Sequence, residues 1–366
     1  MPERPASSQG GTLIVVGVDG HKNSHTLVAV DPLGKRLAEL TVTARPAGHL
    51  KALAWLRDFG PVLVAVEDCR HLTRRFEADL LNSGHAVVRV HTRLMAGARR
   101  SARERGKSDP IDAEAVARVA LREPDLPKAS LDGPSRGIKL LVDHRRTLVA
   151  QRTAIGNKLR WFLHELDPEL AVASRGLRRV CLLDQLAQAL TEHRGTIAAI
   201  AAELVADCRR LSERVDALEG QIRRLVAVQV PHLLAIPGCG ILGAAVLIGE
   251  TADATRFTSK AAFARFNGTA PIPVWSGNKV RVRLNRGGNR TVNHALHMIA
   301  VTQVRGDGEG AAYFAKQLTV GKTKTEALRL LRRRISDRVY RALLADQADP
   351  VQSLDPAPTT PMKLAA

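Results

Sequence analysis

Short apolar runs dominate the beginning of the chain. They lie at residues 12–19, 25–30 and 36–43, and Pro and Gly residues at 31–35 form a turn signal between the second and third runs. Runs of this length, with continuous or alternating apolar positions, are typical of β-strands. The pattern therefore predicts three strands that follow one another as a meander.

Helical and strand-like patterns then alternate along the chain. Helical spacing is found at 47–58 and 71–83, and apolar runs typical of strands are found at 61–68 and 86–91. Strands that alternate with helices favour a mixed sheet covered by helices. With a helix that starts at Asp109, the predicted order β-β-β-α-β-α-β-α is that of an RNase H-like domain.

A heptad-like repeat marks the middle of the chain. Its apolar positions alternate in steps of four and three: Ile197, Ala201, Leu204, Cys208, Leu211, Val215, Leu218, Ile222 and Leu225. Residues 135–170 carry a similar repeat that Arg145 and Arg152 interrupt. These spacings predict two long helices, joined by a turn near 167–180, in an antiparallel coiled-coil hairpin. A plain helical bundle is the alternative.

The pattern changes again from about residue 231. The Pro-Gly-Cys-Gly turn within 233–247 separates two apolar helical segments and predicts a helix-hairpin-helix, whose turn amides can face a phosphate. A loop is predicted at 267–290, and helices at 291–304 and 322–345. The fold class is thus α/β plus α. The predicted parts are a catalytic domain at 12–125, the hairpin at 135–228, a mainly helical domain at 231–345 and a disordered tail at 349–366.

Charge narrows the choice of partner. The formal net charge is +19 and the isoelectric point is about 10.7, and such an excess is typical of proteins that bind a polyanion, with nucleic acid the first candidate. A membrane partner is not expected, since no run of about 18 apolar residues exists. The four cysteines are far apart, which argues against a disulfide framework or a zinc site. With no signal peptide, we expect a cytoplasmic bacterial protein, associated with the nucleoid when it acts.

Four carboxylates are candidates for a metal site: Asp19, Glu67, Asp109 and Asp112. The first two end predicted strands, and the last two lie one turn apart at the start of a predicted helix, with Asp109 as its N-cap. Hard cations such as Mg²⁺ prefer oxygen ligands of this kind. Each acid also has an ordinary interpretation, as a turn residue or as half of a capping box. Successive side chains of a strand point to opposite faces, so only one of Glu67 and Asp68 can lie on the same face as Asp19. The residues alone do not say which one.

Several segments together resemble one protein family. The segments are VGVDGHK, VAVEDCR and GKSDPIDAEAVARVAL in the first half, and IPGCGILGAAVLIGE, RFTSKAAFARFNGTAPIPVWSGN and RGGNRTVNHALHMIA in the second. They resemble the DEDD transposases of insertion sequences, which are related to the Piv DNA invertase and to the bridge-RNA-guided recombinases. The resemblance covers residues 12–345, and the third segment is its most specific part.

The resemblance implies a fold and a site. It implies a RuvC-like N-terminal domain in which Asp19, Glu67, Asp109 and Asp112 hold Mg²⁺ or Mn²⁺. The sequence departs from the family in two places. Residues 68–70 read Asp-Cys-Arg where many members have a small residue followed by Thr-Gly, and residues 267–271 read Asn-Gly-Thr-Ala-Pro in place of Gly-Leu-x-Pro.

Ser276 follows Trp275 in the predicted loop. A serine hydroxyl is a weak nucleophile without a base, a metal or clustered positive charge, so the residues alone favour a simple turn serine. The resemblance implies instead that Ser276 is the nucleophile and forms a covalent phosphoserine link to DNA. It also implies an active site that combines the acidic domain of one copy with the serine domain of another.

Basic residues supply the candidate contacts to nucleic acid. They are Lys22, Arg99, Arg100, Arg103, Arg105, Lys107, Lys279, Arg281, Arg283, Arg286, Arg290, Arg332, Arg333 and Arg334. DNA is the expected partner, a structured guide RNA is a further one that the resemblance implies, and the chain is expected to form a homodimer or homotetramer. His21 is interpreted as a surface or structural residue; because it lies near Asp19 in the sequence, contact with a substrate is the alternative.

Three functions are weighed. The first is a transposase or site-specific recombinase that cuts and rejoins DNA with Mg²⁺-bound carboxylates and the serine. The second is a RuvC-like nuclease that uses a metal-activated water, does not rejoin strands and does not need Ser276. The third is a nucleic-acid-binding protein without catalysis.

Overall fold

A computed structural model describes residues 13–91, 94–95, 108–123, 126–173, 176–276, 279–283, 285 and 288–348; the side chains of residues 70, 275–276 and 279–282 lie outside this description. The chain divides into two compact units, with the boundary between Asp132 and Gly133. The predicted tail at 349–366 and the basic residues at 99–107 lie outside the described residues. Among the helices described, none is both long and apolar enough to cross a membrane.

Unit 1 is built on a five-stranded sheet with strand order β3-β2-β1-β4-β5. Its elements are β1 (Ile14–Gly20), β2 (Ser24–Val30), β3 (Arg36–Thr43), α1 (Pro46–Arg57), β4 (Val62–Glu67), α2 (Arg70–Asn82), β5 (Ala86–Val90) and α3 (Asp109–Arg122). The first three strands pair antiparallel, whereas β1, β4 and β5 pair parallel. The predicted mixed sheet and element order are confirmed.

Strand β1 is buried on both faces, which explains its continuous apolar run. Val16 and Val18 point to the face that packs with Leu53 and Phe76, on α1 and α2. Val15 points to the opposite face, in the apolar cluster formed with α3. A Cβ atom at Gly17 would lie 1.9 Å from the carbonyl oxygen of Ala113, so only glycine lets α3 approach β1 this closely.

The helical hairpin of unit 2 consists of α4 (Ser135–Leu166) and α6 (Thr196–Gln229). The pairing is antiparallel. Arg145 binds Glu219 at 2.6 Å, and Arg152, which lies later in α4, donates at 3.1 Å to Ser212, which lies earlier in α6. The two arginines that interrupt the apolar repeat therefore hold the helices together. The predicted turn near 167–180 is wrong, since the connection extends to α6 and contains α5 (Val180–Ala189), which buries Leu183.

Heptad spacing in α6 agrees only partly with the burial. Ala201, Cys208, Val215 and Ile222, spaced seven residues apart, are buried as the pattern predicts. Leu225 is 39% exposed and Val226 is buried instead. Val205 is likewise buried beside the predicted Leu204, so the second apolar position lies one residue later than predicted near both ends of the helix. The coiled coil itself stays a prediction.

The remainder of unit 2 is mainly helical. Its elements are α7 (Pro231–Leu234), α8 (Ile241–Thr251), α9 (Lys260–Asn267), β6 (Ile272–Ser276), β7 (Lys279–Arg283), α10 (Arg290–Arg305), α11 (Glu309–Thr319) and α12 (Lys324–Ala348). One apolar core joins Ile138 and Ile222 of the hairpin to Leu247, Leu296 and Leu331. The predicted domain boundaries at 135–228 and 231–345 stay predictions.

Residues 231–290 of unit 2 differ in part from the sequence interpretation. The segment predicted as a loop at 267–290 contains the antiparallel pair β6 and β7. Alternating Val and Arg in KVRVR gives the period of two that a strand requires, so the sequence does carry a signal for β7. The predicted helix-hairpin-helix stays a prediction, because α7, before the Pro-Gly-Cys-Gly turn, is a single turn of four residues.

Candidate metal centre

The parallel pair β1 and β4 places two carboxylates side by side. Val18 pairs with Val66, so the next residues along the two strands, Asp19 and Glu67, are neighbours at the carboxyl ends. By the alternation of side chains along a strand, Asp19 and Glu67 lie on the face of the sheet that packs on α3, whereas Asp68 lies on the opposite face. This register selects Glu67 over Asp68 as the partner of Asp19.

Helix α3 brings the other two acids to the same face. The close approach at Gly17 holds Ala113 against β1, and the preceding residue, Asp112, is 6% exposed. The predicted N-cap is wrong by one residue: Ser108 is the N-cap and makes no side-chain cap bond, whereas Asp109 is the first helical residue. Ser108 has the extended backbone angles that are usual for an N-cap residue.

Asp19 lies at the centre of this acidic cluster. Its side chain is buried, and Oδ2 has no hydrogen-bond partner among the described residues. The pKa of Asp19 is raised from 3.8 to about 6, first by burial; the nearby His21 lowers it, and the charges of Asp112, Glu67 and Asp109 raise it further. The other three predicted acids therefore all act electrostatically on Asp19 at this end of the sheet.

His21 joins the cluster from the turn between β1 and β2. Its Nδ1 lies 3.7 Å from Oδ2 of Asp19 and 3.9 Å from Oδ2 of Asp109. One potential ligand atom from each of Asp19, His21 and Asp109 lies within 4.8 Å of the others; Glu67 and Asp112 do not belong to this tight set. The one sign of His21 in the sequence is its position two residues after Asp19.

The chemistry of these side chains fits a divalent cation. Carboxylate oxygens are the preferred ligands of hard ions such as Mg²⁺ and Mn²⁺. A buried carboxylate oxygen without a partner, with three other acids that raise the pKa of Asp19, is costly unless a cation offsets it. Asp19, Glu67, Asp109 and Asp112 could hold the ion, and His21 could bind it or contact a substrate.

A second group of side chains supports the strand end from the α2 side. Glu77, which is 2% exposed, accepts hydrogen bonds from Thr73 at 2.8 Å and from Arg89 at 2.9 Å. A Cβ atom at Gly20 would lie 2.3 Å from the methyl group of Thr73. Cys69, one of the departures from the family pattern, lies beside the same glycine, and burial raises the pKa of its thiol to about 11. The thiol is therefore neutral at physiological pH.

Ser276 belongs to unit 2, where it ends β6 and pairs through its backbone with Lys279. Its side chain, the side chains of Lys279 and Arg281, and all of Arg286 lie outside the description. The two ends of the β6–β7 segment are held together at its base, since a Cβ atom at Gly288 would lie 2.3 Å from the Gly268 nitrogen.

A buried polar network fixes this base to the helices. Asn267 donates to Ser336 at 2.8 Å, Asn293 donates to the Asn267 carbonyl at 2.8 Å, and Asn289 donates to Glu250 at 2.8 Å. The departure at 267–271 thus has a structural role, because Asn267 accepts from Thr269 as well.

The basic residues of the described chain differ in their surroundings. Lys22, Arg283 and Arg290 are exposed. On α12, Arg333 binds Asp337, and Arg334 lies 4.3 Å from the ring centroid of Tyr313. Whether any of the predicted set contacts nucleic acid stays a prediction.

Comparisons with known proteins cover most of the chain. Residues 16–168 match the model of IS110-type DEDD transposases, and residues 230–315 match that of the IS116/IS110/IS902 transposase family. The chain is 26% identical to an insertion element IS110 protein of Streptomyces coelicolor, over 91% of this chain and 94% of that protein. It is 28% identical to an insertion element IS900 protein of Mycobacterium paratuberculosis, over 91% and 96% respectively.

A solved structure also matches part of the chain. Thermus thermophilus RuvC bound to a Holliday junction is 18% identical and aligns over 32% of this chain and 99% of RuvC, with a TM-score of 0.26. A score this low does not establish a shared fold.

Proposed function

Because the chain belongs to the DEDD transposase family of insertion elements, we propose that it cuts and rejoins DNA strands with a carboxylate-bound Mg²⁺ or Mn²⁺ and Ser276 as the nucleophile. The observation that carries the metal part is the convergence of Asp19, Glu67, Asp109 and Asp112 at one end of the sheet. The serine part rests on the family motif alone.

The acids would bind the cation in their deprotonated form. Strand ends and the first turn of α3 are rigid mounts, so the carboxylates need little reorganisation to bind it. A bound divalent cation would stabilise the negative charge that builds up on a phosphodiester during substitution. His21, half-exposed beside two of the acids, is placed to contact a phosphate or a proton on the reacting strand.

In the proposed chemistry, the Ser276 oxygen forms a bond to phosphorus while the bond to one deoxyribose oxygen breaks. The serine loses its proton and the leaving oxygen gains one. A second strand's hydroxyl then reverses this step, forms the new phosphodiester and releases the serine. Because each step exchanges one phosphate ester for another, no ATP is required. The cations that follow Ser276 along β7 would stabilise the phosphorane-like transition state.

Strand transfer between DNA molecules that carry the element's ends tests the proposal. We expect activity that requires Mg²⁺ or Mn²⁺, and a loss of at least about 100-fold in Asp19→Asn and in Ser276→Ala. Wild-type reactions stopped in denaturant should contain a protein–DNA adduct that Ser276→Ala lacks. Unchanged strand exchange by Ser276→Ala would remove the serine from the mechanism.

A metal-dependent nuclease that does not rejoin strands is the second candidate. It is favoured by one observation: all four acids lie in unit 1, so the metal site needs no residue of unit 2. Metal-dependent cleavage that persists in Ser276→Ala, without an adduct in the wild type, would identify this activity. A protein that binds DNA in a salt-dependent way but turns over no substrate would be a binding protein only.

We propose DNA as the partner and a homo-oligomer as the active form, with the helical hairpin as the oligomer contact. A structured RNA transcribed from the element is a second candidate partner. RNA that copurifies with the protein and is required for strand transfer would support guidance, and full activity after ribonuclease treatment would exclude it.

A further inference from the structure

The arginines of α12 fall into two groups. Most have partners within unit 2: Arg333 binds Asp337, Arg334 stacks on Tyr313, and Arg338 binds Glu309 at 3.1 Å. Their charges are therefore offset within the protein, and such pairs on a helix surface contribute little to binding a ligand.

Arg332 has a different environment. Its Nη1 donates to Oδ1 of Asn293 at 3.0 Å, which orients the guanidinium. Its Nε is buried and meets no acceptor among the residues that the structure describes. Burial lowers the pKa of Arg332, and the charges of Arg329 and Arg290 lower it further. A half-buried cation beside two other cations is costly unless an anion offsets it.

Backbone N–H groups at the start of the neighbouring helix are already bonded, so the guanidinium of Arg332 is the donor available to an anion. Helix α10 begins at Arg290, and its N-cap Asn289 already accepts hydrogen bonds from the backbone N–H groups of Thr291 and Val292. An anion at this place would thus be bound by arginine side chains, which match phosphate oxygens in geometry.

Two further cations lie farther along the groove between α10 and α12. His297, whose pKa is lowered by burial and then by Arg332, also lines an open cavity of about 350 Å³ in the same groove. The lining of this cavity is mainly apolar; its charged members, Arg305 and Lys324, are both cations, and it contains no carboxylate. An extended groove with cations at both ends fits a polyanion better than a single small anion.

We infer that Arg332, with Arg290 and Arg329 beside it, binds a backbone phosphate of a nucleic-acid strand that follows the groove between α10 and α12. The inference rests on the proposed function only for the identity of the partner as nucleic acid. On α12, Arg332 contacts the phosphate, whereas Arg338 does not.

Binding by the full-length protein in EDTA tests this site separately from catalysis. A labelled duplex DNA is titrated at several salt concentrations with wild type, Arg332→Met and the matched control Arg338→Met. We expect Arg332→Met to lower the affinity by about 10-fold and to reduce the slope of log K against log salt by about 1, the effect of one lost phosphate contact. Arg338→Met should change neither.

Thermal unfolding provides the second readout. In phosphate-free buffer, Arg332→Met should unfold at the same temperature as wild type or higher, because it removes an uncompensated buried charge. Inorganic phosphate should raise the Tm of wild type more than that of the variant. A lower Tm together with unchanged affinity would show that Arg332 is structural and would overturn the inference.

An RNA duplex of the same sequence distinguishes the source of the phosphate. A loss of affinity in Arg332→Met for DNA, for RNA or for both supports the site and identifies its ligand. A loss for neither overturns it. These measurements contain no metal and no strand transfer, so failure of the Ser276 mechanism leaves their outcome unaffected.

Discussion

At the scale of single residues, Asp19 carries a buried charge at the proposed metal site. It is buried, its Oδ2 has no partner in the described chain, and three further acids act on it. Such an arrangement does not favour folding by itself. It is retained, on our proposal, because a cation binds there.

Asp19→Asn should therefore stabilise the metal-free protein and abolish its response to metal. The neutral amide keeps the size of the side chain and removes the buried charge. We expect the Tm in EDTA to rise, and the increase in Tm with Mg²⁺ or Mn²⁺ to vanish. Asp68→Asn, at the exposed neighbour of Glu67, is the control and should keep the metal response. A metal response retained by Asp19→Asn would contradict the assignment.

The raised pKa of Asp19 makes the unfolding free energy of the metal-free protein depend on pH. Its pKa is about 6 in the folded protein and 3.8 as an ordinary Asp. A raised pKa means that the folded state binds more protons between these values, so stability from this group falls as pH rises through that window. Without metal, the difference in unfolding free energy between Asp19→Asn and wild type should grow from pH 4 to pH 6 by at most about 3 kcal/mol, then stay constant. Denaturant unfolding at a series of pH values measures it, and a constant difference would argue against the shift.

At the scale of elements, the contact between β1 and α3 assembles the site. Gly17 allows the backbone of α3 to approach β1, and this approach places the first turn of α3 beside Asp19. The proposed metal site thus depends on helix–strand packing as well as on its own side chains.

Gly17→Ala should disturb both stability and metal binding. Its Cβ would meet the Ala113 carbonyl at 1.9 Å and the Ala117 nitrogen at 2.6 Å, so α3 must move. We expect a loss of about 1–3 kcal/mol in unfolding free energy and at least a 10-fold loss of metal affinity. Gly137→Ala, where nothing lies within 4 Å, is the control and should be neutral or stabilising. Calorimetric titration and denaturant unfolding measure the two effects, and unchanged metal affinity in Gly17→Ala would refute the packing argument.

At the scale of the molecule, the chain has two compact units with separate apolar cores. The acids lie in the first unit and Ser276 in the second. A ligand that binds one folded unit stabilises that unit by mass action.

Calorimetric unfolding should therefore show two transitions, of which only one responds to metal. At a free metal concentration 100 times Kd, the stabilisation of unit 1 should be about 2.7 kcal/mol, and the transition of unit 2 should not move. Asp19→Asn should abolish the shift. A single transition that moves as a whole would show that the two units unfold together.

The sequence by itself determined the local elements of unit 1 and singled out the four candidate acids. Apolar periodicity depends only on neighbours along the chain, and the motif residues are fixed in number and order. It also predicted two paired helices in unit 2, although the connection between them and the β6–β7 pair were misjudged.

Only the tertiary structure decided which groups meet. The parallel register of β1 and β4 selected Glu67 over Asp68, and the turn after β1 added His21 to the acids. Packing left Nε of Arg332 without an acceptor in the described chain, whereas Arg333 binds Asp337. These outcomes depend on contacts between residues far apart in sequence. The free energy of burying a charge depends on its neighbours in space, and a pattern along the chain does not contain them.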